Sequence, residues 1–292
     1  MDVPFYPTFK EKQLTSTPPP HANPINDNDD GAAPPPPKRL SAADAIVMGM
    51  RFYSRLPTGD SPHLPLYFGK MIQFLPISSL IIGVFPALTI LLLGAFGVQS
   101  LFVATLAIAM SAVITGAMAE DAFGDAMDGL FGGHDVARRL EIMKDSRHGT
   151  YGVLGLIAPF MLRVITLGTL IAMSPVAAAL LWLASAMIAR QTAPIVAVIL
   201  PPARSDGASA GAGILSKRDF MSGLVPALIL FCLLVWLFAG PIALFLALVL
   251  GAGLSAFWVN LLKRFLGGQT GDTIGALQLL LEIAALSAFI LI

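Results

Sequence analysis

Apolar residues run through this chain in blocks too long for a soluble core. From Met71 to Ala119 there are 49 consecutive residues without Asp, Glu, Lys or Arg, and from Phe220 to Leu262 another 43. About 20 apolar helical residues cross a hydrocarbon layer of ~30 Å, so each block has to fold back once. The pattern predicts seven helical spans, near residues 71–94, 99–119, 152–172, 176–199, 220–239, 242–262 and 273–292. Residues 41–56 (SAADAIVMGMRFYSRL) read as a shorter interfacial helix with Ser41 as its N-cap. The expected fold is an all-α, polytopic transmembrane bundle.

The first 40 residues break the pattern. They contain ten prolines, with PPP at 18–20 and PPPP at 34–37, around the polar tract NPINDNDDG. Such a segment buries too little apolar surface to offset its ordering entropy, and it is read as a disordered tail. The expected organisation is therefore a tail, 1–40, and an integral-membrane domain, 41–292.

Composition agrees with a membrane protein: 56% of residues are hydrophobic and 12% charged, with a mean hydropathy of +0.78, where soluble domains carry roughly 25% charge. A formal net charge of zero offers no field for nucleic acid. The single cysteine, Cys232, lies in an apolar run and is read as a packing residue. Charge sets the sidedness. With seven spans, the tail and the loops 120–151, 200–219 and 263–272 share one face, and 16 of the 18 basic residues fall there. Only Arg163 and Arg190 lie inside spans. The positive-inside rule then places the tail and large loops in the cytoplasm and the protein in the cell (inner) membrane.

The large loop opens with EDAFGDAMDGLFGG, residues 120–133. Asp121, Asp125 and Asp128 stand at i, i+4 and i+7, within about a 60° arc of one helix face. Three carboxylates on one stripe repel unless a cation sits among them. A hard divalent ion with oxygen ligands, Mg²⁺ most naturally, relieves that repulsion; a solvated helix end is the alternative. A basic stretch, RRLEIMKDSRHGTYG at 138–152, follows with Arg138, Arg139, Lys144 and Arg147. Carboxylates for a metal beside a basic cluster are the parts that hold a diphosphate during displacement. Basic side chains at a membrane face also serve as topology signals or lipid contacts. A second polar island, KRFLGGQTGDTIG at 263–275, offers Gln269, Thr270 and Asp272, either as an ordinary helix cap or as further ligands and substrate contacts. Arg163, Arg190 and Glu282 should face the bundle interior, Glu282 pairing with one of the arginines or the arginines contacting substrate. His134 and His148 border these motifs and are read as solvated loop residues.

These residues resemble the cobalamin synthase family, the adenosylcobinamide-GDP ribazoletransferases. FYSRLP at 52–57 is similar to its F-x-T-R-L-P signature, and Asp121, Asp125, Asp128 and Gly129 match its D-x3-D-x2-D-G run. LEIMKDSRHGTYG at 140–152 matches its central block, and LGGQTGDTIGA at 266–276 its C-terminal G-G-x-T-G-D-x-x-G-A block. The resemblance covers about residues 42–292. It implies a Mg²⁺-dependent membrane enzyme that joins adenosylcobinamide-GDP to α-ribazole or its 5′-phosphate and releases GMP. It also implies roles. Asp121, Asp125 and Asp128 would carry the metal, and Lys144 and Arg147 the phosphate oxygens. Arg55, Arg139, Arg190, Gln269, Thr270 and Asp272 would touch substrate, while Asp145 or a metal-site aspartate would take the hydroxyl proton. The implied partners are corrinoid and nucleoside small molecules and the bilayer, with a homo-oligomer or other enzymes of the pathway. Where the family commonly has H-x-D-G, this chain has Ala119, Glu120, Asp121 and Ala122; all three aspartates remain, which favours an active enzyme.

Two rival readings stand beside this one. A CDP-alcohol-type phosphotransferase also needs helical aspartates, but DAFGDA at 121–126 lacks the arginine of its D-G-x2-A-R motif. A transporter would place charge near the midplane on broken helices, whereas here charge clusters at one face.

Overall fold

In the computed structural model, residues 40–59, 67–204 and 215–291 are described, so the proline-rich tail lies outside the described residues. Within them the chain is helical, with one isolated bridge between Pro202 and Gln269. Six helices are long and apolar enough to cross a membrane, or seven when a sharply bent pair counts as one span.

The short helix α1 (Ala42–Tyr53) starts as its sequence predicts. Ser41 accepts the N–H of Asp44, and the Asp44 carboxylate returns to the Ser41 N–H, closing a capping box. The long α2 (Phe68–Ala95) follows and carries Pro76 and Pro86 within it. Then comes the main departure from the expected spans. Instead of one helix over 99–119, α3 (Ser100–Thr115) stops early. Gly116 (φ 66°) and Ala117 (φ 56°) adopt left-handed backbone, and α4 (Met118–Gly132) leaves at 87° to α3. Ala117 is the one non-glycine residue with positive φ among those described, a conformation that costs an L-residue about 1 kcal/mol or more.

The remaining helices are α5 (Val136–Ile142), α6 (Thr150–Met173), α7 (Pro175–Thr192), α8 (Ile195–Ile199), α9 (Lys217–Phe238), α10 (Gly240–Phe265) and α11 (Gly271–Ile290). Helices α7 and α11 form the buried centre, and α2, α6, α9 and α10 surround them. The buried face of α7 is built from small side chains, including Ala178, Ala184, Ser185 and Ala189. Without a hydrophobic driving force between helices in lipid, such residues hold helices together by letting backbones approach closely. The outer faces carry Phe85, Phe102, Trp236, Phe245 and Phe257, all exposed, as suits a multi-pass membrane protein whose solvent is hydrocarbon.

One buried ionic knot ties α4 into this frame. The Arg163 guanidinium on α6 reaches Glu120 on α4 at 2.6 Å and Glu282 on α11 at 3.0 Å. Glu282 thus pairs with an arginine as the pattern suggested, and Glu120 joins them as a third member that the pattern did not predict.

Candidate active site

Helix α4 packs against both α6 and α11, which places its three aspartates in different surroundings. The Asp121 side chain is 69% exposed, that of Asp125 is 18% exposed, and Asp128 is buried. Asp128 is also fully engaged. One of its oxygens accepts the N–H of Gly149 at 2.6 Å and the other that of Gly152 at 2.7 Å. These are the N-cap and third positions of α6, so a carboxylate from α4 satisfies the orphan amides of a neighbouring helix. The fit needs glycine, since a Cβ at position 152 would stand 2.1 Å from an Asp128 oxygen.

The residue that joins Asp121 and Asp125 is His148. Its Nε2 lies 3.8 Å from Asp121 Oδ1 and its Nδ1 3.8 Å from Asp125 Oδ1. One ligand atom from each of the three falls within 4.8 Å of the other two. Two carboxylates and an imidazole at this spacing suit one divalent cation with positions left for phosphate oxygens. The electrostatics agree with such a role. Burial, then the charges of Asp121 and Asp272, push the Asp125 carboxyl up from 3.8 to about 6. The three expected aspartates therefore meet different partners. Asp128 holds the N-terminus of α6, and His148, read from sequence as a solvated loop residue, faces the other two. Its position depends on the turn that Asp128 anchors, and that turn is invisible to helical spacing.

The second island also divides. Thr270 is the N-cap of α11, closing a capping box with Thr273. Asp272 pairs with Arg204 at 3.3 Å, a basic residue the motif analysis passed over. Gln269 is bound through its backbone to Pro201 and Ala203, while both amide atoms of its buried side chain lack a partner among the described residues.

The basic residues expected to touch phosphate or substrate lie apart. Arg147 clamps Asp145 through Nε at 3.0 Å and a terminal nitrogen at 2.8 Å. Those bonds hold the Asp145 carboxyl down at about 2, which makes it a poor proton acceptor. Lys144 is exposed on the same loop. Arg139 turns away, donating to the Phe265 carbonyl at 3.0 Å and stacking on the Phe265 ring at 4.5 Å. Arg55 lies over Gly116 at the α3–α4 bend, where a Cβ would approach its Nε to 2.5 Å. Arg190 is buried, 5.5 Å above the Tyr53 ring and, among the described residues, without a carboxylate within salt-bridge distance.

Beside Asp121 opens a cavity of about 250 Å³, reaching from Asp121 and Asp272 inward to Met71 and Ile72.

Comparison with known proteins gives one answer. The family described as Cobalamin-5-phosphate synthase matches residues 45–290. The chain is similar to the adenosylcobinamide-GDP ribazoletransferase of Azorhizobium caulinodans, 37% identical over 241 residues, covering 81% of this chain and 91% of that one. It is 39% identical to the enzyme of the same name from Sinorhizobium medicae over 258 residues, 85% of this chain and 96% of the other. The Rhizobium meliloti enzyme is 38% identical over 263 residues. No solved structure matches.

Proposed function

This chain belongs to the cobalamin-5-phosphate synthase family, and from that premise we propose how its site performs the family's chemistry. It is an adenosylcobinamide-GDP ribazoletransferase, a transferase of cobalamin biosynthesis. The ribose hydroxyl of α-ribazole, or of its 5′-phosphate, forms a new bond to the phosphorus nearer the corrinoid. The bond from that phosphorus to the bridging oxygen breaks, and GMP leaves with the bridging oxygen and its electron pair.

The observation that carries the assignment of the site is the Asp121–Asp125–His148 cluster. These residues would hold a divalent cation, Mg²⁺ in our reading. When bound, the ion supplies charge neutralisation for the diphosphate oxygens. The protein's own part is positional. Asp128 and the two glycine amides fix the start of α6 and with it the loop bearing His148. The Glu120–Arg163–Glu282 knot sets the depth of α4. Lys144, and Arg147 held on Asp145, lie on the exposed loop that carries His148 and are the cations we assign to the guanylyl phosphate. Since Asp145 is a poor base, we assign the hydroxyl proton to a carboxylate oxygen of Asp121 or Asp125.

The basic loops support a cytoplasmic orientation for this face, and we assign the protein to the cell (inner) membrane in line with it. The deciding experiment is GMP release from adenosylcobinamide-GDP and α-ribazole by membranes bearing the protein, with Mg²⁺ or with EDTA. Mg²⁺-dependent GMP together with a cobalamin product is expected; folded, inserted protein that releases none would overturn the assignment.

A further inference from the structure

We infer that the cavity beside Asp121 is the acceptor pocket, seating the flat base of the ribazole nucleoside inside and presenting its ribose at the mouth. This rests on the ribazoletransferase reading and adds which substrate lies where.

Size makes the first choice. The cavity measures about 250 Å³, which admits a bicyclic base and excludes a corrin macrocycle with its side chains. Charge makes the second. The polar residues lining it include two carboxylates, Asp121 and Asp272, and Asp272 is already paired with Arg204 at 3.3 Å. Among the described residues the lining carries no Lys or Arg, so a phosphate inside would go unpaired, whereas a neutral base needs no countercharge. The walls make the third. Phe52 packs edge-to-face on Tyr53 at 4.9 Å and on Phe68 at 5.6 Å, so α1 and α2 present an aromatic wall, and aromatic rings favour another ring against them.

One polar group is left over inside. Gln269 is 1% exposed and lines the cavity, yet neither its Oε1 nor its Nε2 has a hydrogen-bond partner among the described residues. A buried amide without partners is costly, and a bound ligand removes that cost. The base of ribazole keeps one free ring nitrogen, an acceptor. Gln269 Nε2 donates to it, and Gln269 Oε1 accepts from a ribose hydroxyl. With the base inward, the ribose leaves the cavity past Asp121, whose carboxylate is 3.8 Å from His148. The attacking hydroxyl thus emerges at the cluster assigned to the cation.

The test is steady-state kinetics on detergent-solubilised full-length protein, varying each substrate separately. Filling the cavity with Ala197→Phe, a lining position, should raise KM for α-ribazole by roughly tenfold or more and leave KM for adenosylcobinamide-GDP unchanged. The wild-type protein provides a second arm that no folding defect can confound. A riboside whose base lacks the free ring nitrogen should bind more weakly than α-ribazole on wild type, and that difference should vanish in Gln269→Leu. A folded Ala197→Phe protein with an unchanged ribazole KM, or with only the corrinoid KM raised, would overturn the assignment; so would a ring-nitrogen effect that survives in Gln269→Leu. An inactive wild type would instead refute the transferase reading beneath it.

Discussion

Asp128 on α4 accepts the backbone N–H of Gly152 on α6 at 2.7 Å, a contact that only glycine at position 152 permits. It turns a carboxylate from the acidic stripe into the cap of another helix and sets the loop that carries His148.

Asp128→Asn should therefore lose stability before it loses cation affinity. An amide side chain has one acceptor oxygen where the carboxylate has two, and stranding a buried N–H costs about 1–3 kcal/mol. Thermal unfolding in detergent should show the drop, with the Mg²⁺ requirement of the surviving protein unchanged. Gly152→Ala should be at least as damaging, because its Cβ would meet the same carboxylate at 2.1 Å.

Asp125→Asn and His148→Ala should behave in the opposite way. Both leave the helix ends intact and remove a proposed cation ligand, so the Mg²⁺ concentration for half-maximal GMP release should rise roughly 10–100-fold. Titrating Mg²⁺ against initial rate checks this. Wild-type Mg²⁺ demand in a folded Asp125→Asn protein would sink the cation assignment.

The pH response follows from the same carboxyl. With Asp125 raised to about 6, protons compete with the cation below that pH. Apparent Mg²⁺ affinity should strengthen as pH rises from 5 to about 7, and the slope should flatten in Asp125→Asn. The sign for stability without a cation is the reverse. The folded chain binds this proton more tightly than the unfolded one, so the contribution is full below 3.8 and is lost as pH rises through about 6. Unfolding temperatures in EDTA should fall across that window and recover on adding Mg²⁺.

Arg163 neutralises the buried Glu282 and the half-buried Glu120 at once. Arg163→Met should cost about 3–5 kcal/mol by leaving Glu120 and Glu282 uncompensated, read as loss of folded protein on size-exclusion chromatography. Adding Glu120→Gln and Glu282→Gln to Arg163→Met should restore part of that loss.

Sidedness is open to direct chemistry. In a Cys232→Ala background, Phe96→Cys, at an 82% exposed site, should react with an impermeant maleimide on intact cells. His134→Cys, in the large loop, should react only after the membrane is opened. The reverse pattern would invert the proposed orientation.

The sequence alone determined most of the apolar spans, the N-cap at Ser41 and the family motifs. Hydrophobic length, local hydrogen bonding and motif spacing are properties of neighbours along the chain, and each is written there without reference to anything distant. Even the pairing of Glu282 with an arginine was foreseeable, because a lone charge inside a membrane helix must find a partner. The tertiary structure alone decided how the charged residues share their work. The break at Gly116 and Ala117 turned the acidic helix away from the second span. Asp128 was drawn to amides 21 and 24 residues onward, His148 moved in beside Asp121 and Asp125, and Arg139 left the phosphate side for Phe265. Helical periodicity reports which side chains share a face of their own helix. What that face meets depends on how α4, α6 and α11 pack, and a carboxylate goes wherever buried donors would otherwise be left unsatisfied.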